Sequence, residues 1–214
     1  MKPELKTTLA GLYLVTPDWD DTARLLRATE QALLGGAALV QYRHKFASED
    51  LRRQQAQGLQ ALCRHYQVPF IINDHLDLCL ALDADGIHVG GTDASVAEMR
   101  AALGPDKIVG ASCYGELSLA HAAQLAGASY VAFGGFYLSR VKKYPVTTPF
   151  DVVSIACTAI NLPNVVIGGM TVENCRPLVN AGAHMVAAIS SIYLAPDPQA
   201  AARAFTKLLE RRAS

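Results

Sequence analysis

The chain has 214 residues, of which 51% are hydrophobic and 18% charged, and its formal net charge is +0. This length suits one large domain with its own core, and the zero net charge argues against nucleic-acid or polybasic membrane binding. The sequence contains no run of about 18 apolar residues that would cross a membrane. Residues 1–6 lack the apolar core of a signal peptide.

Short apolar runs alternate with amphipathic segments along the whole chain. The apolar runs predict strands at 11–16, 38–43, 69–74, 86–90, 107–112, 130–135, 165–169 and 185–190. The amphipathic segments predict helices near 20–34, 49–66, 75–82, 94–103, 116–126, 149–160, 172–181 and 198–212. Continuously apolar strands indicate a sheet that is covered on both faces.

The predicted helix ends carry local markers. Ser48, Thr148 and Asp197 stand before acidic residues or a proline, as N-cap residues do. Three helices are expected to end at Gly-Ala pairs, at 36–37, 127–128 and 182–183, because glycine readily adopts the left-handed conformation that stops a helix.

Eight strand–helix units predict a single (β/α)8 TIM barrel, an α/β fold, as one domain over residues 1–214. A doubly wound open sheet is the alternative, but no GxGxxG motif follows the first strand. Active sites of such barrels lie at the carboxyl ends of the strands. Polar residues gather at these ends, namely Thr16, Arg43, Asn73, Asp74, Ser112 and Ser190.

Gln41, Arg43 and Lys45 alternate at the end of the second strand and so share one face of an extended segment. An unpaired arginine inside a barrel is costly, which favours an anion-binding site, with solvated cations at a strand end as the alternative. Tyr42 and His44, which lie between them, are included among the predicted substrate-binding residues. His44 would point the other way and is expected to be structural or exposed rather than catalytic.

Two carboxylates follow neighbouring strands. Asn73 and Asp74 end the third strand, and Asp93 lies just past the fourth. Adjacent strands are about 5 Å apart, so the two carboxylates can share one Mg²⁺, which takes one or two protein carboxylates together with substrate phosphate. The alternative is that Asp93 only caps the next helix.

Two further segments suit phosphate. Gly168-Gly169 and Ser190-Ser191 follow the last two strands, where backbone N–H groups of many barrels hold a phosphate. A tight turn is the alternative for the glycines. The long loop 136–145 suits a lid or ligand loop. This loop contains three cations, Arg140, Lys142 and Lys143. They would add positive potential over the site, and the alternative is a solvated charged loop.

The remaining polar candidates lie on the fourth and fifth strands. Ser112 is able to donate a hydrogen bond to a ligand, and His88 is expected to be packed and hydrogen-bonded. No histidine stands beside Cys113, which argues against a nucleophile. The five cysteines are widely spaced without a CxxC motif, so we expect free buried thiols and a cytoplasmic protein. The sequence leaves open whether the chain is a homo-oligomer.

With these segments in order, the chain resembles the thiamine phosphate synthase family of (β/α)8 enzymes. The resemblance extends from residues 12–16 to 188–192 and is most specific at Gln41-x-Arg43-x-Lys45, Asn73-Asp74 with Asp93, and residues 167–169. It implies that a hydroxymethylpyrimidine diphosphate is joined to a thiazole phosphate, which gives thiamine phosphate and diphosphate. It also implies that diphosphate leaves first and that the thiazole nitrogen meets a pyrimidine-stabilised carbocation.

The resemblance implies roles for the matching positions. The pyrimidine diphosphate would contact Gln41, Arg43, Lys45, Asn73, Ser112 and Lys142. The thiazole phosphate would contact Ser139, Arg140, Val141, Gly169, Ile189 and Ser190. Asp74 and Asp93 would bind Mg²⁺. The predicted catalytic residues, which would stabilise the leaving diphosphate, are Arg43, Lys45 and Lys142.

The chain departs from the family pattern in the loop after the sixth strand, which in the family usually reads Gly-Pro-x-Phe-x-Thr-x-Thr-Lys, since Val141 offers no hydroxyl. We hypothesise that Arg140 compensates for Val141. Gly91 also stands where the family often has glutamine. Two other functions stay open, a related thiazole tautomerase and a non-catalytic regulatory barrel. Such tautomerases tend to lose the Asn-Asp pair and the second aspartate that this chain keeps.

Overall fold

The computed structural model describes residues 9–90, 95–138 and 148–210. Eight parallel strands close into a barrel in chain order, and the first pairs with the eighth. They are β1 Gly11–Val15, β2 Leu39–Tyr42, β3 Phe70–Asn73, β4 Gly86–Val89, β5 Ile108–Tyr114, β6 Tyr130–Gly134, β7 Asn164–Ile167 and β8 Met185–Ala188. The predicted (β/α)8 barrel is confirmed.

Helices follow the strands. They are α1 Thr22–Leu34, α2 Glu49–His65, α3 Leu76–Ala81, α4 Val96–Leu103, α5 Leu117–Leu125, α6 Asp151–Ala159, α7 Arg176–Asn180, α8 Ser190–Tyr193 and α9 Pro198–Glu210. The short α8 has no counterpart among the predicted helices. Within the described ranges, none of the helices is both long enough and apolar enough to cross a membrane.

Two of the three predicted N-caps are confirmed. Ser48 and Asp197 each accept a hydrogen bond from a first-turn backbone N–H, at 3.3 and 2.9 Å. The Thr148 prediction is wrong, because its hydroxyl instead donates to the Gly134 carbonyl and α6 begins three residues later. The three Gly-Ala helix ends are confirmed, with φ angles of 95°, 90° and 118° at Gly36, Gly127 and Gly182.

The barrel has two apolar layers. Along β1, Leu12 and Leu14 pack between the strands and the helices, whereas Tyr13 faces the barrel interior. The interior also contains Tyr130, whose ring meets that of Tyr13 edge-on at 5.8 Å between centroids. Gly110 makes this possible, because a Cβ at that position would overlap the Tyr130 ring. The interior is thus shaped around two phenols.

All five cysteines are free thiols, and the expected burial holds for four of them. Cys157 is exposed on α6, where its Sγ lies 3.2 Å from the Gly182 carbonyl oxygen, so the expectation is wrong at that position. Burial raises the pKa of the Cys113 thiol to about 12. Because a thiol must ionise to attack, this pKa argues further against a nucleophilic Cys113.

Candidate active site

Arg43 lies just past β2 and forms a buried ion pair. Only 5% of its side chain is exposed, and its Nη1 lies 3.3 Å from Oδ1 of Asp18, in the loop after β1. The Arg43 backbone is also fixed, since its N–H donates to Thr16 Oγ1 at 2.8 Å and its carbonyl accepts from the same hydroxyl at 2.9 Å. Arg43 is therefore neither solvated nor unpaired. It is a charge held in place at the carboxyl end of the barrel.

The Asp18 carboxylate organises the turn that carries both predicted cations. Its Oδ1 accepts a hydrogen bond from the Lys45 backbone N–H at 2.8 Å, while the Lys45 side chain is exposed. Asp18 is absent from the residues predicted from the sequence. Its position two residues after Thr16, the end of the predicted first strand, is the pattern that points to it. The corner thus combines a buried, neutralised cation with an exposed one.

Gln41 and Tyr42 lie on opposite faces of β2. The Gln41 amide nitrogen donates to the Tyr13 hydroxyl at 2.7 Å inside the barrel. The Tyr42 hydroxyl instead donates to Gln55 Oε1 at 3.0 Å in the layer between the strands and the helices. Side chains alternate along a strand, so a ligand at the barrel mouth meets the side of β2 that Gln41 occupies. This geometry argues against a substrate contact of the Tyr42 side chain, although Tyr42 is among the predicted substrate-binding residues.

His44 is also occupied by protein groups. Its Nε2 lies 3.1 Å from Asp20 Oδ1, and its Nδ1 accepts a hydrogen bond from the Phe46 backbone N–H at 3.3 Å. The residue is buried. With both ring nitrogens bonded within the loops, the structure argues against a substrate contact of the His44 side chain and fits the structural role expected for it.

A continuous chain of hydrogen bonds crosses the barrel interior beneath the mouth. From the Tyr13 hydroxyl it passes to the Tyr130 hydroxyl at 2.6 Å, and from there to His88 Nδ1 at 2.9 Å. His88 Nε2 then lies 2.9 Å from Ser112 Oγ. The expectation that His88 is packed and hydrogen-bonded is confirmed. Gln41 and Ser112, both predicted to contact substrate, are the two ends of this chain.

Asp74 presents a carboxylate just past β3. Its φ of 63° is a left-handed conformation, which aspartate adopts more readily than most residues. The Asn73 side-chain amide donates to Asp74 Oδ2 at 2.5 Å, and the Asp74 backbone N–H donates to the His88 carbonyl oxygen at 2.9 Å. The side chain is exposed. Asn73 thus orients the carboxylate at the mouth, as a ligand for a hard cation requires.

The turn after β7 is built around two glycines with positive φ, 112° at Gly168 and 65° at Gly169. A Cβ at Gly169 would lie 2.5 Å from the Leu138 carbonyl oxygen, in the loop after β6. The Asn174 side chain closes the turn by donating to the Gly169 carbonyl at 2.9 Å, and the Asn174 backbone carbonyl accepts from the Tyr137 hydroxyl at 2.6 Å. The two loops therefore pack together, and glycine is needed for the close approach.

Ile189 and Ser190 follow β8, next to this glycine turn in the barrel order. Ile189 packs against the barrel interior, and Ser190 begins α8 with a partly exposed side chain. The neighbouring Ser191 hydroxyl is buried and has no hydrogen-bond partner within the described part of the chain. A buried hydroxyl normally has a partner, so this orphan suits a ligand atom at the same end of the barrel.

Several predicted site residues lie outside the described residues. They are the second metal ligand, Asp93, and the loop residues Ser139, Arg140, Val141 and Lys142. The described part of the site therefore consists of the β1–β5 side with Arg43, Lys45 and Asp74, and the β7–β8 side with Gly169 and Ser190. The first side carries cations and a carboxylate, while the second offers backbone groups and hydroxyls.

Comparisons with known proteins agree with this arrangement. A family model described as thiamine monophosphate synthase matches residues 12–192. A thiamine-phosphate synthase of Janthinobacterium sp. (strain Marseille) is 68% identical over 97% of this chain and 100% of its own length. One from Nitrosomonas eutropha is 44% identical over 96% of this chain and 97% of its own. A solved thiamine phosphate pyrophosphorylase from Pyrococcus furiosus superposes with a TM-score of 0.83 at 27% identity, covering 96% of this chain and 98% of that one.

Proposed function

Because the chain belongs to the thiamine monophosphate synthase family, we propose that its barrel mouth joins a hydroxymethylpyrimidine diphosphate to a thiazole phosphate. The chain is a transferase that makes thiamine phosphate, and its relatives are thiamine-phosphate synthases. In the proposed step the pyrimidine CH₂–O bond breaks and a bond forms from that carbon to the thiazole nitrogen, while diphosphate keeps the electron pair of the broken bond. One observation carries the assignment of the two substrates, namely the two unlike halves of the mouth.

The β1–β5 half binds the diphosphate. Arg43 is fixed by Asp18 at 3.3 Å, and Lys45 adds a second positive charge on a side chain that is exposed to solvent. Charges that are in place before the reaction stabilise negative charge developing on a leaving group, typically by a few kcal/mol each. These two residues therefore favour departure of diphosphate ahead of bond formation. Lys142, which lies outside the described residues, is proposed to stabilise the same negative charge on the leaving diphosphate.

Asp74 and Asp93 are proposed to hold Mg²⁺. The described half of this pair fits a hard divalent cation, because Asp74 is an exposed carboxylate oriented by the Asn73 amide at 2.5 Å. Bound Mg²⁺ neutralises diphosphate charge and so makes diphosphate a better leaving group. The Asn73 amide keeps the carboxylate facing the mouth, and Asn73 is itself proposed to contact the diphosphate.

The β7–β8 half binds the thiazole phosphate. The glycine turn permits close approach of the backbone to an anion, and the Ser191 hydroxyl is buried without a partner among the described residues. Gly169, Ile189 and Ser190 are the proposed contacts here. Holding both substrates face to face supplies much of the remaining rate enhancement.

The loop beyond Leu138 supplies the other contacts to this phosphate. Ser139, Arg140 and Val141 are proposed to lie beside it, and Arg140 to replace the hydroxyl that Val141 lacks. Arg140→Ala should raise the KM for thiazole phosphate and leave the KM for pyrimidine diphosphate unchanged. Equal KM values for thiazole phosphate in wild type and variant would show that Arg140 does not compensate.

The function is tested by incubating both substrates with and without Mg²⁺ and measuring thiamine phosphate and diphosphate. Equal amounts of the two products, formed only with Mg²⁺, support the proposal. Isomerisation of thiazole phosphate without Mg²⁺ and without coupling indicates a tautomerase. Binding of both ligands with no product indicates a regulatory barrel.

A further inference from the structure

The hydrogen-bond chain inside the barrel links five strands through five side chains. It runs from Gln41 on β2 through Tyr13 on β1, Tyr130 on β6 and His88 on β4 to Ser112 on β5. Every step measures between 2.6 and 2.9 Å. Both of its ends are residues that, by the family resemblance, are expected to contact the pyrimidine diphosphate. The three residues between them have no role in the reaction as described above.

The middle of the chain is buried, and its two phenols keep their protons. The Tyr13 and Tyr130 side chains are essentially inaccessible, and the His88 ring stacks on Tyr130 with 5.6 Å between ring centroids. Burial raises the pKa of both phenols far above neutral pH, so each keeps its proton. The space that Gly110 leaves open is filled by the Tyr130 ring. Glycine at position 110 of β5 is therefore needed for the Tyr130 hydroxyl to take part in the hydrogen-bond chain.

With the Gln41 amide nitrogen turned towards Tyr13, the bonds have one direction. The Gln41 amide nitrogen only donates, so the Tyr13 oxygen accepts from it and the Tyr13 O–H donates to Tyr130. The Tyr130 O–H then donates to His88 Nδ1. Because Nδ1 accepts, Nε2 is the nitrogen that carries the ring hydrogen, and it donates to Ser112 Oγ at 2.9 Å. The opposite direction would leave the Tyr13 O–H without an acceptor among the hydrogen bonds that it makes in the described ranges.

This direction fixes what each end offers to a ligand. Since one N–H of the Gln41 amide donates to Tyr13, the orientation of the amide is set, and its carbonyl oxygen is the acceptor that it offers to a ligand. Since the Ser112 oxygen already accepts from His88, its own O–H is available to donate. One end therefore selects a donor on the ligand, and the other selects an acceptor.

We propose that Tyr130 and His88 are positioning residues that lock Gln41 as an acceptor and Ser112 as a donor towards the pyrimidine diphosphate. The proposal rests on the proposed function. It assigns the chain a role in specificity, which is to favour a pyrimidine that carries an exocyclic amino group over an analogue with an oxo group in the same place. A carbonyl oxygen at Gln41 accepts from the amino group and repels the oxo group.

Tyr130→Phe tests this role, because it keeps the ring and removes the hydroxyl that connects Tyr13 to His88. The Gln41 amide is then free to turn over. We expect the Kd of the aminopyrimidine diphosphate, measured by calorimetry, to rise about tenfold, the effect of one misplaced hydrogen bond. Preference for the amino ligand over the oxo analogue should fall by a similar factor. The KM for thiazole phosphate should not change.

Two substitutions of His88 separate its role as acceptor towards Tyr130 from its role as donor towards Ser112. His88→Asn keeps an oxygen to accept from Tyr130, so it should retain more of the preference for the amino ligand than Tyr130→Phe does. His88→Gln places an N–H donor near Ser112 but removes the acceptor for Tyr130, so it should lose the preference. Equal losses of preference in the two variants would refute the directional role.

Tyr193→Phe is the matched control, since it removes a buried hydroxyl that lies 3.0 Å from Thr29 Oγ1 in the outer layer. It should leave ligand preference unchanged. Melting temperatures identify any variant that is not folded, and Tyr13→Phe breaks the chain at a second point should Tyr130→Phe fail to fold. If Tyr130→Phe or Tyr13→Phe is folded and has an unchanged Kd and an unchanged preference for the amino ligand, the inference is overturned. Absence of coupling by the wild type would instead count against the proposed function. The two failures are distinguishable, because the Kd measurements do not depend on the coupling reaction.

Discussion

Arg43 and Asp18 form an ion pair with 3.3 Å between Nη1 and Oδ1, and it joins the loops after β2 and β1. Because the carboxylate balances the guanidinium, an unliganded corner carries less positive charge than its two cations suggest. Attraction of a diphosphate then depends strongly on the exposed Lys45. The pair also explains how an arginine with 5% exposure is tolerated at a strand end.

Asp18→Asn should weaken both the fold and the site. Removing one partner of a partly buried pair leaves Arg43 without a compensating charge, and we expect a loss of roughly 1–3 kcal/mol in the free energy of unfolding. The KM for pyrimidine diphosphate should rise as Arg43 loses its fixed position. Urea denaturation and steady-state kinetics measure the two effects.

The matched control is Asp20→Asn, whose carboxylate is 85% exposed and contacts His44. It should change the free energy of unfolding by less than about 1 kcal/mol. Equal stabilities of Asp18→Asn and wild type would contradict the importance assigned to the pair.

The sequence predicts this corner only in part. The position of Arg43 follows from strand alternation, but its partner lies 25 residues earlier, and no local pattern joins the two. Strand geometry places the Tyr42 side chain opposite Gln41, which argues against the predicted substrate contact of that side chain. The Tyr13–Tyr130 contact spans 117 residues and depends on closure of the barrel. By contrast, strand and helix positions depend on local periodicity, which explains why the barrel itself is predictable.

Asp74→Asn should abolish Mg²⁺-dependent turnover while the protein stays folded. Asparagine tolerates the left-handed φ of 63°, so the backbone is preserved and only the charged ligand is lost. We expect at least about a 100-fold fall in kcat/KM, measured over a range of Mg²⁺ concentrations. Asp77→Asn, an exposed acid in the first turn of α3, is the control. Full activity of Asp74→Asn would refute the metal assignment.

Gly169→Ala should raise the KM for thiazole phosphate. The added Cβ would lie 2.5 Å from the Leu138 carbonyl oxygen, so the two loops must separate. Gly104→Ala is the control, since Gly104 also has a positive φ of 77° but no atom within 4 Å of the added Cβ. Both should lose roughly 1 kcal/mol of stability from backbone strain. If both variants had the same KM for thiazole phosphate, close packing at Gly169 would be irrelevant to that site.

Stability should fall at alkaline pH. Burial raises the pKa of the Cys113 thiol to about 12 and of the Cys79 and Cys175 thiols to about 11, from 9.0. The unfolded chain therefore releases these protons as pH rises past about 9, whereas the folded chain keeps them, so unfolding becomes easier. Their stabilising effect is complete below the unfolded pKa and is lost as pH rises through the window up to the folded values.

Urea denaturation between about pH 8 and 10.5 should show a decline of roughly 2 kcal/mol or more. Cys113→Ala should make the decline shallower, because one buried thiol is removed. A free energy of unfolding that is constant over this range would contradict the effect of burial on these groups.

The central claim is that one barrel mouth couples two phosphorylated substrates through separate anion-binding halves. It is tested most directly by a single-turnover reaction of the wild-type protein with pyrimidine diphosphate and thiazole phosphate, with and without Mg²⁺. We predict thiamine phosphate and diphosphate in equal amounts, formed only when Mg²⁺ and both substrates are present. Failure to form thiamine phosphate when both substrates are bound and Mg²⁺ is present would contradict it.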